Sequence, residues 1–105
     1  MVPPGESRRH RRIAVAIRVF ARDRAAFPED TRDISSGGFC VQTREPLPRG
    51  TESDFSVWVP HHEVPLEIRG EVVWTQVGGM GVRITRNDER FESFVDRLIK
   101  DSERI

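Results

Sequence analysis

Between Ile13 and Ile84 apolar residues return at every second position, in short runs separated by glycine, proline and charged side chains. Ile13, Val15, Ile17 and Val19 form the first run; Phe55, Val57 and Val59 form a later one; Leu66, Ile68, Val72 and Trp74 share one parity in the longest. A period of two sends alternate side chains to opposite faces of an extended chain, so each run has one face to bury and one to show to water. A helical period cannot be laid over such runs.

Six strands are expected. The first begins at Ile13 and continues through Phe20, and the second covers Phe27 to Ile34, with Pro28 near its start, where a missing amide donor is tolerated. Phe39 to Val41 make the third, and Phe55 to Val59 the fourth, ended by Pro60. Leu66 to Trp74 make a long fifth strand bent or bulged at Gly70, and Met80 to Ile84 return as its hairpin partner across Gly78-Gly79. After Ile84 the period changes: Phe91, Phe94, Val95, Leu98 and Ile99 fall on one face of a helix spanning 88–102. Asn87 is the expected cap, with Asp88 and Glu89 near the positive end of the helix dipole. Short antiparallel strands need their edges covered, so the reading is an all-β fold with a C-terminal helix, a six-stranded antiparallel barrel. With 105 residues there is material for one core and one domain: a flexible arm over 1–12, then the barrel and helix over 13–105.

The arm carries the most unusual chemistry. Arg8, Arg9, Arg11 and Arg12 surround His10, and of 17 basic residues in the chain only Lys100 is a lysine. A guanidinium is a permanently charged planar fork that can grip a phosphate with two hydrogen bonds, stack on a ring or bind the O6/N7 edge of guanine. The net charge is zero, but residues 1–24 hold seven arginines against Glu6 and Asp23, while the remainder carries an acidic excess. General nucleic-acid binding wants a basic stripe over the whole domain; a compact cluster on an acidic body suits a small anion.

A second constellation, Asp33-Ile34-Ser35-Ser36-Gly37-Gly38, ends the second strand. It is expected to be a polar turn in which two glycines allow positive φ and let another group approach the backbone. Cys40 is alone, so it forms no intramolecular disulfide and reads as a packing residue. Adjacent His61 and His62 would point in opposite directions from an extended segment, so an exposed turn and no metal site is expected there. No nucleophile–base arrangement points to an enzyme. No run approaches the roughly 20 apolar residues that span a bilayer, so the expectation is a cytoplasmic protein without membrane insertion.

Taken together, the Arg-x-x-x-Arg of Arg8 to Arg12 and the Asp-x-Ser-x-x-Gly of Asp33 to Gly38, in this order and separation, resemble the PilZ domain. Gly70-Glu71-Val72-Val73-Trp74 followed by Gly79-Met80-Gly81-Val82-Arg83-Ile84 is similar to that family's later hairpin. The resemblance covers most of the chain. It implies a barrel whose arginine segment folds over cyclic di-GMP, a bacterial second messenger, in a receptor that is not an enzyme, needs no cofactor and signals to a downstream protein partner. Carried over by position, it implies that Arg8 and Arg12 contact guanine and phosphate, with Arg9 as an auxiliary contact. Asp33 and Ser35 would hydrogen-bond a guanine edge, and Gly38 would let the ligand come close. Arg11 lies outside the pattern, and Ser7, just before it, leaves open whether one ligand or a stacked pair is bound. The chemistry agrees with this division of labour: a carboxylate accepts from the N1 and N2 donors of guanine, an edge that arginine cannot satisfy. Ordering about five arm residues at roughly 1–2 kcal/mol each leaves micromolar affinity, about 8 kcal/mol, as the expected scale. Two other readings use the same residues: a PilZ-like protein-interaction module that binds no nucleotide, and a small barrel for RNA or single-stranded DNA, which the acidic body disfavours.

Overall fold

The alternating runs become strands, and the strands close on one another. The computed structural model describes residues 12–22, 29–60 and 63–102. Strands β1 (Arg18–Ala21), β2 (Glu29–Ser35), β3 (Gly38–Gln42), β4 (Glu52–Trp58), β5 (Leu66–Gln76) and β6 (Gly79–Arg86) precede one helix, α1 (Glu89–Ser102). All pairings are antiparallel, and the order β1-β2-β3-β6-β5-β4 returns to β1 as a closed barrel, which removes exposed sheet edges. Val19, Ile34, Phe39, Phe55, Leu66 and Val82, one from each strand, are buried in a single core. Phe39 and Phe55 meet there edge to face, with ring centroids 5.6 Å apart.

The first strand is shorter than its alternation suggests. Ile13 makes a lone antiparallel bridge with Ile34, with both N–H···O distances 2.9 Å, and the regular ladder begins only at Arg18. Between them backbone and side chain share the pairing: Thr31 N donates to Ile17 O at 2.8 Å, while the Thr31 hydroxyl accepts from Ile17 N at 2.9 Å and donates to Val15 O at 2.6 Å. Thr31 is followed by a register shift before Asp33, a bulge that pulls the first segment off its ladder. The period was informative because it depends on burial; the ladder was not, because a hydroxyl satisfies buried amides equally well. Phe27 and Pro28, expected at the start of the second strand, and the His61-His62 pair lie outside the described residues.

Two bulges shape β5. The expected one at Gly70 is present as a register shift between Arg69 and Gly70, where a Cβ would lie 2.5 Å from Val82 Cγ1. A second shift, between Val72 and Trp74, carries Trp74 out of the inward row where its parity had put it and leaves it 37% exposed on the outer surface. The β5–β6 turn uses Gly78 at φ 88°, left-handed backbone that an L side chain adopts only with strain. Gly37 and Gly38 are different: among the described glycines only Gly50 and Gly78 have positive φ, so the β2–β3 turn does not use the freedom expected of it.

Helix α1 buries Phe91 and Val95 in the barrel's core, with Phe94, Leu98 and Ile99 partly covered beside them. Its cap sits one residue later than expected. Asp88, the residue before the helix, accepts from Arg90 N at 2.8 Å through its carboxylate, and its carbonyl accepts from Glu92 N at 3.1 Å. Asn87 instead accepts from Asp88 N at 2.8 Å and sends its amide elsewhere. No described helix is long and apolar enough to cross a membrane.

Candidate functional site

The paired amides of Ile13 and Ile34 hold the end of the arm against β2, and this places Arg12 beside Asp33. Arg12 Nη1 donates to Asp33 Oδ1, an ion pair whose side chains are 53% and 28% exposed. The last arginine of the first motif and the carboxylate of the second therefore meet on the barrel's outer face. Asp33 is inside β2, opposite Cys40, and not in the turn that follows. Arg8 and Arg9 lie outside the described residues.

The rest of the second motif has internal duties. The Ser35 side chain is buried, and its hydroxyl accepts from Gly37 N at 3.3 Å and donates to Gly38 O at 3.2 Å, bracing the turn. Gly38 is required by its neighbour strand: a Cβ there would stand 2.3 Å from the carbonyl oxygen of Val82, a backbone atom that cannot step aside. The turn is also held from the far side of the chain. Ile84 N donates to Gly37 O at 2.9 Å, and the Asn87 amide donates to Ser36 O and to Glu92 Oε1, each at 3.2 Å. Asn87 thereby ties the start of α1 to the turn carrying the motif.

Beside Asp33 runs a row of four outward positions across four strands: Asp33 pairs with Cys40, Cys40 with Gly81, and Gly81 with Trp74. Trp74 lies over Gly81, so close that a Cβ on that glycine would be 2.0 Å from the indole Nε1. A cleft of about 190 Å³ opens here, lined by Arg32, Cys40, Gln42, Trp74, Gln76 and the β5–β6 turn. Cys40 is its floor. Burial pushes the Cys40 thiol up from its ordinary value of 9.0, with Asp33 adding to the shift and Arg32 and Arg12 opposing it. The shift favours the thiol over the nucleophilic thiolate.

Arg32, Gly81 and the outward face of Trp74 were absent from the expected site. Cross-strand neighbours cannot be seen in a sequence, and Trp74 had been placed inside by its parity; its only local signal was a large aromatic three positions after an outward acid, Glu71. Among the described residues no three His, Cys, Asp or Glu side chains converge as a metal site would require.

Comparison with known proteins gives the arrangement a context. No curated protein sequence matches the chain significantly. Among solved structures, the Bacillus subtilis inhibitor of motility (MotI/DgrA) superposes with a TM-score of 0.73 at 15% identity, over 96% of this chain and 56% of that one. YcgR from Escherichia coli, in complex with c-di-GMP, gives 0.68 at 16% identity over 91% of this chain and 46% of its own. PlzA from Borreliella burgdorferi, also in complex with c-di-GMP, gives 0.56 at 13% identity over 91% of this chain and 37% of its own. This chain thus spans about half the length of these neighbours, and at such identities the likeness is one of fold. The sequence itself matches the PilZ domain over residues 6–101, nearly its full length, and with the closed barrel this establishes that the chain belongs to the PilZ domain family.

Proposed function

We propose that this domain is a receptor for cyclic di-GMP, and that its site is assembled around the Arg12–Asp33 pair. The observation that carries the reading is that pair: two motifs separated by 21 positions in sequence meet at one spot on the outer face. Side by side, the guanidinium and carboxylate offer donors for the O6/N7 edge of a guanine and an acceptor for its N1/N2 edge, a combination neither supplies alone. Two structurally similar proteins, YcgR and PlzA, hold c-di-GMP, which supports the choice of ligand. In this reading Arg8 and Arg9 close over the ligand's phosphates and second base, and Gly38 leaves the turn low enough for approach. Ser35 contributes by keeping the turn in shape, and a direct base contact from it would require its hydroxyl to leave the Gly38 carbonyl.

Binding then changes the surface formed by the arm and the β2–β3 turn, and a protein partner reads the change. The domain is a binding module and not an enzyme, and its proposed setting is the bacterial cytoplasm. Titration calorimetry with cyclic di-GMP and with GMP at physiological salt tests the reading. Saturable binding of the dinucleotide in preference to GMP is expected, weakened more than tenfold by Arg8→Ala, Arg12→Ala or Asp33→Ala. Amide exchange over residues 5–12 should slow at saturation. Absence of saturable binding by the unaltered protein would defeat the proposal and leave the nucleotide-free interaction module as the reading of the fold.

A further inference from the structure

We propose that the outer face of the β1–β4 ladder is a docking surface for a second copy of this chain, centred on Trp58 and Phe20 and arranged about a two-fold axis that runs along the ladder. The inference does not rest on the cyclic di-GMP reading and uses none of the residues named for it.

The face is marked first by what it exposes. Trp58 is 41% exposed, and Phe20 meets it edge-on, with ring centroids 6.3 Å apart and the planes at 85°. An indole in water has apolar area to bury, and the contact with Phe20 orients its ring in advance, so little side-chain freedom is left to lose on association. Tryptophan and arginine are also the residues that carry most of the energy at protein interfaces.

The charges around the rings say what covers them. Outward positions fall into rows across the strands: Arg18 pairs with Trp58, and Phe20 pairs with Ser56, which pairs in turn with Glu67. Arg22, whose amide donates to Asp54 O at 2.9 Å, stands beside Asp54, and Asp54 pairs with Arg69. Within the chain Arg22 leans to Glu67 at 3.3 Å and Arg69 to Asp54 at 3.1 Å. Arginine and acid alternate, so the face has no one-signed field to draw a polyanion or an acidic bilayer. Closure of the barrel leaves no free strand edge here for a peptide to extend.

A second copy brings the matching set. In a two-fold interface residue i meets residue j of the other copy, and j meets i. An axis along the β1–β4 ladder puts each outward β1 residue opposite the β4 residue of its own row on the other copy. Arg22 then faces Asp54 twice over, Arg18 faces the Trp58 indole twice as a cation over a ring, and Phe20 faces the small Ser56. No like charges meet along the axis. Around the barrel β4 lies opposite β3, so docking leaves the β2–β3 turn uncovered.

Curvature limits the strength. The barrel falls away on both sides of the ladder, so contact is confined to a strip some three strand spacings wide, about 14 Å, and about five residues long, roughly 17 Å. That is a few hundred Å² per copy, below the roughly 800 Å² per partner of stable complexes. The dimer is therefore weak and reversible.

Sedimentation velocity on the full chain without nucleotide, over a series from about 10 μM to about 1 mM, tests the inference. The unaltered protein should move from one chain towards two as concentration rises, and Trp58→Ala should weaken association about tenfold or more. Arg22→Asp and Asp54→Arg should each weaken it several-fold, because each sets two pairs of like charges face to face. Mixed in equal amounts, these two variants should associate again, since only the mixed dimer restores both opposite-charge pairs. Three results overturn the inference: an unaltered protein that stays a single chain throughout, variants that associate like the parent, or a mixture that associates no better than its components. If Trp58→Ala fails to fold, the mixture decides, because Arg22 and Asp54 have exposed side chains outside the core.

Discussion

Arg12 and Asp33 show how little a residue pair needs to contribute to stability in order to define a site. Both side chains are partly exposed, and an ion pair of that kind is worth at most about 1 kcal/mol. Arg12→Ala should therefore shift the urea midpoint only slightly while weakening ligand binding more than tenfold; a large loss of stability would mean that the pair is part of the framework. Gly38→Ala should cost stability as well as binding, because Gly38 both sits against β6 and keeps the turn low for the ligand. Its Cβ would press on the Val82 carbonyl, forcing β3 and β6 apart, at a cost of about 1–3 kcal/mol whether or not ligand is present. Comparing urea midpoints with and without ligand separates the two cases. Cys40 gives a pH prediction. Its folded-state pKa is raised, so the folded protein holds that proton more tightly than the unfolded chain does. The stabilisation is complete below the thiol's ordinary 9.0 and is lost as pH rises through the folded value, so stability should fall on the alkaline side. Folded protein at pH 7.5 should label slowly with a thiol reagent, and Cys40→Ser should flatten the alkaline limb of the stability profile.

Among the elements, the junction of α1 with the β2–β3 turn has a dual role. The Asp88 carboxylate caps the helix, and Asn87 links its start to Ser36 in the turn. Replacing an N-cap aspartate by alanine costs typically ~1 kcal/mol, so Asp88→Ala should lower the melting temperature by about 4–8 °C in a domain of this size. Asn87→Ala removes the link and leaves the cap in place. It should lower the melting temperature less, and should raise amide exchange at Gly37 and Gly38, visible by NMR; unchanged exchange there would show that the turn is held by β6 alone. The same element explains an expectation that missed by one residue. Asn87 and Asp88 are both good caps, and a sequence cannot say which one lies at the helix start, because Asn87 is drawn off by a carbonyl 51 positions away in the chain.

At the scale of the whole molecule, the barrel and the helix share one core, so neither should survive the loss of the other. Phe91 is fully buried, and Phe91→Ala should cost about 3–5 kcal/mol. Against the 5–15 kcal/mol that holds a typical domain together, this should lower the urea midpoint sharply in one cooperative transition; a barrel transition that kept its midpoint would show that the helix is an appendage. What the sequence determined by itself was everything that depends on local period and turn chemistry: the number of strands, the bend at Gly70, the helix, and the arginine and aspartate motifs that mark the candidate site. Burial of one face forces those patterns into the chain wherever the strands end up. What only the tertiary structure decided was which residues became neighbours across strands. The Thr31 hydroxyl shared a stretch of ladder with the backbone, a second bulge turned Trp74 outward, and Asp33, Cys40, Gly81 and Trp74 fell into one row. Register and bulges are settled by the closure of the whole barrel, through contacts between residues remote in sequence, and local pattern carries no record of them.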